Sequence, residues 1–236
     1  MRPARRSLVR SARAPFETAR VEWSPAVRIV SARSAPEDAF ERIASPDEAR
    51  ELLEVLAAGR PSRLDPSEIA PVEGAGWILS AFLYGGAGRF NDETFGAFYA
   101  AREEPTALAE THYHYARFLA SAREGYTLLG VRVLHAEVAG EPVDIRGGAA
   151  AKLAELYDPD PDHYAASQHW AAARRAEGAE GIVYCSVRRS GGECIALFRS
   201  RLVASCRTGD RLVYEWDGSR FTATYTLAPR DEAQDA

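Results

Sequence analysis

The apolar positions of this chain fall into short runs, and their period separates strands from helices. AVRIVSA (residues 26–32) alternates as a strand does. GWILSAFLY (76–84) and AFYAA (97–101) are apolar runs bounded by glycine or charge, the pattern of buried strands. TLLGVRVLHAEVAG (127–140) alternates over a long strand, and GIVYCSV (181–187), ECIALF (193–198), RLVYEW (211–216) and RFTATYTL (220–227) predict four more. Three segments have helical period. SPDEARELLEVLAAG (45–59) opens on a capping serine and closes on glycine. Pro105 sits where a first helical turn tolerates proline, and Leu108, His112, Tyr115 and Leu119 follow at helical spacing. DHYAASQHWAAARRAEG (162–178) is amphipathic and stops at Gly178.

Strands and helices do not alternate regularly, which argues against a doubly wound parallel sheet. The pattern predicts an α+β fold, mixed and largely antiparallel, with a two-sheet core and flanking helices. Residues 1–25 form a basic arm expected to be flexible: positions 1–22 hold six arginines and two glutamates with no apolar period. Residues 26–228 read as one domain with an N-terminal helical elaboration. The proline- and charge-rich stretch from Arg60 to Gly76 is a connecting loop within it, and 229–236 form a polar, flexible tail.

Composition narrows the picture modestly. With 236 residues, 46% of them hydrophobic, the chain can build an ordinary core. A net charge of −5 argues against wholesale nucleic-acid binding but leaves room for a local cationic pocket. Cys185, Cys194 and Cys206 are odd in number and lie in or beside strands, as free thiols in a reducing cytoplasm do. No CxxC or HxxxH pair supplies metal-ligand spacing, so no metal site is expected. The basic start lacks the apolar stretch of a secretory signal, and no run of about 18 apolar residues suggests a membrane span, so the expected location is cytoplasmic.

Four polar residues at the ends of apolar runs carry the candidate chemistry. Arg89, after GGAG, has the planar fork that matches phosphate oxygens, though a surface arginine beside a turn has the same signature. Tyr99 offers an aromatic face and a hydroxyl, or is simply a core tyrosine of a strand. Glu110 supplies a carboxylate able to stabilise positive charge, yet the helical period turns it away from Leu108 and toward solvent. Ser186 follows a strand without a GxSxG elbow, which suits a positioning hydroxyl better than a nucleophile. Arg28 and Arg33 are further candidates for binding a pyrophosphate, or rim charges pairing with nearby carboxylates.

These residues, with the strings VRIVSARSAPEDAFERI, GRFNDETFGAFYAAREEPTALAETHYHYARF, DHYAASQHWA, GIVYCSVRRSGGECIALFRSRLV and LVYEWDGSR, make the stretch from about Val27 to Trp216 resemble the RES domain. That family takes its name from an Arg, a Glu and a Ser, and the resemblance places Arg89, Glu110 and Ser186, with Tyr99, in the catalytic set. It matches Arg28, with Arg33 as the alternative, to a second phosphate contact. Phe90 and Asn91 would keep an aromatic and a hydrogen-bonding group for the substrate. It implies an ADP-ribosyltransferase-like fold and a toxin that consumes NAD, as a phosphorylase or glycohydrolase. The alternatives are mono-ADP-ribosylation of a protein, or a non-catalytic nucleotide-binding or interaction module. NAD would be the substrate, inorganic phosphate a co-substrate for phosphorolysis, and no cofactor is implied. The implied partner is an antitoxin with an Xre-like helix-turn-helix part; neither direct nucleic-acid nor membrane binding is expected.

Overall fold

A computed structural model describes residues 16–32, 59, 63–64, 72–147 and 153–228. Among the described residues, eight strands form one sheet: β1 (Val21–Ser31), β2 (Phe98–Ala101), β3 (Tyr126–Gly140), β4 (Val143–Asp144), β5 (Gly181–Cys185), β6 (Glu193–Leu197), β7 (Val203–Asp217) and β8 (Phe221–Leu227). Their order is β4-β5-β6-β2-β1-β3-β7-β8. Every neighbouring pair is antiparallel except β4 with β5, so the α+β, largely antiparallel expectation holds.

The second sheet of the expected core is absent from the described residues; a helix layer takes its place on each face. Helix α1 (Ala75–Leu83) covers one face, where Trp77 and Phe82 pack with Phe98, Leu134, Ala136 and Leu197. Helices α2 (Glu104–Ser121) and α3 (Ala165–Ala176) lie over the other, where Ala107 and Ala171 join Val131, Val133, Ile182 and Tyr214. Because both faces are covered, β5 and β6 read as nearly continuous apolar runs. β1 changes faces partway: Trp23 and Ala26 serve the α1 side and Val27 and Ile29 the α2 side. Two residues, Ser24 and Pro25, bulge against the single Glu137 of β3 and reverse the alternation.

Two expectations need correction. The run GWILSAFLY is helix α1, not a strand; buried almost all round, it lacks the polar face whose period would have marked it as helical. Gly74 supplies the left-handed turn (φ 71°) ahead of α1, and a Cβ there would lie 1.8 Å from the Cys206 carbonyl oxygen. Residues 16–25, expected within the flexible arm, are also ordered against the fold. From Phe16 onward the chain is docked: Phe16 meets Trp170 edge-on at 5.2 Å, Thr18 bridges Val143, and the Asp144 amide donates to the Glu17 carbonyl (2.9 Å). Residues 1–15, the predicted helix up to residue 58, and 229–236 lie outside the described residues.

Candidate functional site

β1 and β2 share a single paired position, Val27 with Ala101, before they part. Beside that parting, under α2, lies a cavity of about 500 Å³. Its walls bring together Arg28 of β1, Arg89 of the turn before β2, Tyr99 of β2, Glu110 and His114 of α2, and Tyr164 and Gln168 at the start of α3.

Helix α2 explains why Glu110 faces inward. Its Ala107, Glu110, Thr111, His114 and Tyr115 line the cavity at i, i+3, i+4, i+7 and i+8, one helical face. A face that borders a cavity needs no apolar character, so hydrophobic period alone assigns Glu110 to solvent. Its carboxylate is instead half-buried and accepts a 2.6 Å hydrogen bond at Oε1 from Ser186 Oγ. The Cys194 thiol stands 3.9 Å from the same oxygen, and its pKa is raised by burial and then by Glu110. Ser186 Oγ in turn accepts from the amides of Arg188 (3.0 Å) and Arg189 (3.1 Å). Ser186 is off the cavity wall, directly behind Glu110.

Arg89 is 6% exposed and committed to protein. Its Nη1 donates to the carbonyls of Leu156 (2.9 Å) and Asp158 (2.8 Å), its Nη2 to the Tyr164 hydroxyl (3.1 Å), and the guanidinium lies over the Tyr164 ring at 4.4 Å. Arg28 is less occupied. Its Nη1 donates to the Tyr99 carbonyl (2.8 Å), its guanidinium lies 5.1 Å from the Phe98 ring centroid, and its buried Nε has no partner. Removal from water lowers the Arg28 pKa. Arg33 lies outside the described residues.

Tyr99 presents its ring to the cavity while its hydroxyl works on the turn before β2. The hydroxyl accepts from the Phe90 amide (2.8 Å) and donates to Asn91 Oδ1 (2.9 Å), and burial raises its pKa far above the ordinary value. Phe90 and Asn91 do not line the cavity, contrary to the substrate-contact reading. Phe90 is fully buried against Tyr184, and Asn91 Nδ2 donates to the carbonyls of Gly86, Asp92 and Phe95. They build the turn that carries Arg89.

Tyr164 and Gln168 stand on the wall without having been singled out, because an amphipathic helix start gives no sign of which residues border a cavity. His114 is another such residue. Its pKa is held down to about 4 by burial, then by Arg188, Arg89 and Arg117, so the ring is neutral at pH 7 and its 4.0 Å approach to Glu110 Oε2 is no ion pair there. Arg188 stacks on the Tyr113 ring and donates to the Pro159 carbonyl, while Arg117 pairs with Asp160 and Asp162. With Arg89, these arginines tie the 156–164 segment to α2 and to the Ser186 turn.

An antiparallel sheet with helices on both faces and a carboxylate-bearing, arginine-walled cavity defines the class. The chain belongs to the RES domain family, whose model matches residues 61–217. It is 25% identical over 210 residues to the uncharacterized protein y4oC of Sinorhizobium fredii (strain NBRC 101917 / NGR234), covering 85% of this chain and 86% of that one. Among solved structures it is similar to the M. tuberculosis MbcT–MbcA toxin–antitoxin complex, with a TM-score of 0.42 and 14% identity over 89% of this chain and 87% of that one. No helix among the described residues is long and apolar enough to cross a membrane.

Proposed function

We propose that the chain consumes NAD by breaking its nicotinamide–ribose bond, and that Glu110 carries the reaction. The observation that supports this reading most is the convergence of Glu110, Arg28 and Arg89, from three distant segments, on one cavity. The C1′–N bond breaks heterolytically and its electron pair goes to the nicotinamide nitrogen, which leaves neutral. Positive charge grows on the ribose, where the Glu110 carboxylate, oriented by Ser186, offsets it. An acceptor then bonds C1′: an ionised phosphate oxygen does so without losing a proton, while water or a protein side chain gives up its proton to solvent. The dinucleotide pyrophosphate is held by Arg28, which stands on the cavity wall. NAD acts as substrate, and no metal or prosthetic group is needed for this scheme. Free nicotinamide released from NAD by purified protein, with and without phosphate, tests the reading. As a toxin of this kind the chain would act beside an antitoxin, which co-expression with the adjacent gene product would reveal.

A further inference from the structure

Gln168 is on the cavity wall with its amide already oriented. Its Nε2 donates to the Gly88 carbonyl at 3.0 Å, which fixes which end of the amide is nitrogen. Gly88 is itself held: its amide donates to the Asn91 carbonyl (2.8 Å), and a Cβ at Gly88 would lie 2.8 Å from the Tyr99 hydroxyl and from Asn91 Oδ1. The Gln168 amide therefore rests on a braced turn. Its Oε1 is a different matter: it has no hydrogen-bond partner among the described residues, and it is not among the buried polar atoms without one. Gln168 also lies one helical turn from Tyr164, with its own amide donating to the Tyr164 carbonyl (2.8 Å), and Tyr164 is close enough to Glu110 for that charge to act on it.

We infer that Gln168 is a specificity-determining residue, whose Oε1 accepts a hydrogen bond from an amino group of the bound nucleotide. This rests on the NAD reading above and adds a selection rule to it. An unpaired acceptor on a cavity-lining side chain whose other end is fixed favours a ligand that brings an N–H₂ group and penalises one that brings oxygen, because two acceptors then oppose each other with no proton between them. NAD carries two such groups, the carboxamide of nicotinamide and the exocyclic amine of adenine. Nicotinic acid adenine dinucleotide replaces the first by a carboxylate; nicotinamide hypoxanthine dinucleotide replaces the second by an oxo group.

The experiment measures kcat/KM for NAD and both analogues with wild-type protein and with Gln168→Met, which keeps the length of the side chain and removes the amide. Wild type is expected to disfavour one of the two analogues by about tenfold or more, the size of a single well-made hydrogen bond, and the analogue disfavoured identifies the group that is read. Gln168→Met should lower kcat/KM for NAD while leaving that analogue nearly unchanged, so the ratio between them collapses. A ratio that survives the substitution, because all three substrates fall together or none changes, overturns the inference and leaves Gln168 as a brace for Gly88. Equal use of all three by wild type overturns it too. If wild type cleaves none of them, the NAD reading fails instead, and calorimetric binding of the three dinucleotides to wild type and Gln168→Met asks the same question: a preference for NAD that disappears with the amide upholds the selection rule, and its absence sinks it.

Discussion

Ser186 Oγ lies 2.6 Å from Glu110 Oε1, joining residues 76 positions apart in sequence. Two backbone amides already donate to that hydroxyl, so its single proton is directed at the carboxylate. Ser186 therefore orients Glu110 and is not disposed to attack a substrate. Ser186→Ala should lower turnover of NAD by about 10- to 100-fold through misplacement of the carboxylate, while Ser186→Thr, which keeps the hydroxyl, recovers most of it. In a Glu110→Gln background the Ser186→Ala change should add little, because residues acting as one unit are not additive. Steady-state kinetics on the four variants checks this.

The two cavity arginines should separate by assay. Arg89→Ala strips a donor from two carbonyls and a tyrosine hydroxyl in the 156–164 segment. A loss of about 2–4 kcal/mol is expected, read by chemical denaturation. Arg89→Lys recovers little of it, since an ammonium cannot reproduce the fork. Arg28→Lys should leave stability closer to wild type and raise KM for NAD.

Tyr99→Phe tests whether the hydroxyl serves the turn before β2. The change leaves the Phe90 amide and Asn91 Oδ1 without their partner. It should destabilise by about 1–3 kcal/mol, and Asn91→Ala in the same background should add less than it does alone.

How much of this was legible in the sequence follows from what each position packs against. β3, β5, β6 and β8 declared themselves by alternation or by compact apolar runs, and α3 by its polar face. α1 did not, because a helix buried nearly all round has no face to alternate with. Hydrophobic period turns Glu110 toward solvent, whereas the structure places it on the cavity wall, since the inner face of α2 borders a cavity. The resemblance, with side-chain chemistry for Arg89, makes Arg89, Phe90 and Asn91 candidate ligand contacts. Their burial and their bonds to segments near residues 86, 99 and 156 depend on long-range packing that no local pattern encodes. Tyr164 and Gln168 lie within DHYAASQHWA, one of the strings that carry the resemblance, but nothing local marks them as cavity residues.

His114 offers a pH test. Its folded pKa, about 4, lies below the ordinary 6.5, so the unfolded chain binds the proton first as pH falls. Stability should decline between pH 6.5 and about 4 and level off below that. Because the side chain is 47% exposed, solvent limits the effect to about 1 kcal/mol. His114→Gln should flatten that part of the difference in a urea-denaturation series across this range.

Glu110 is the centre of the account, and release of free nicotinamide from NAD by wild type and Glu110→Gln measures it most directly. Turnover by the wild type, reduced by about two to three orders of magnitude in a Glu110→Gln protein of unchanged thermal stability, is the expected result. Turnover that survives the substitution intact, or a well-folded wild type that releases no nicotinamide with or without phosphate, would contradict it.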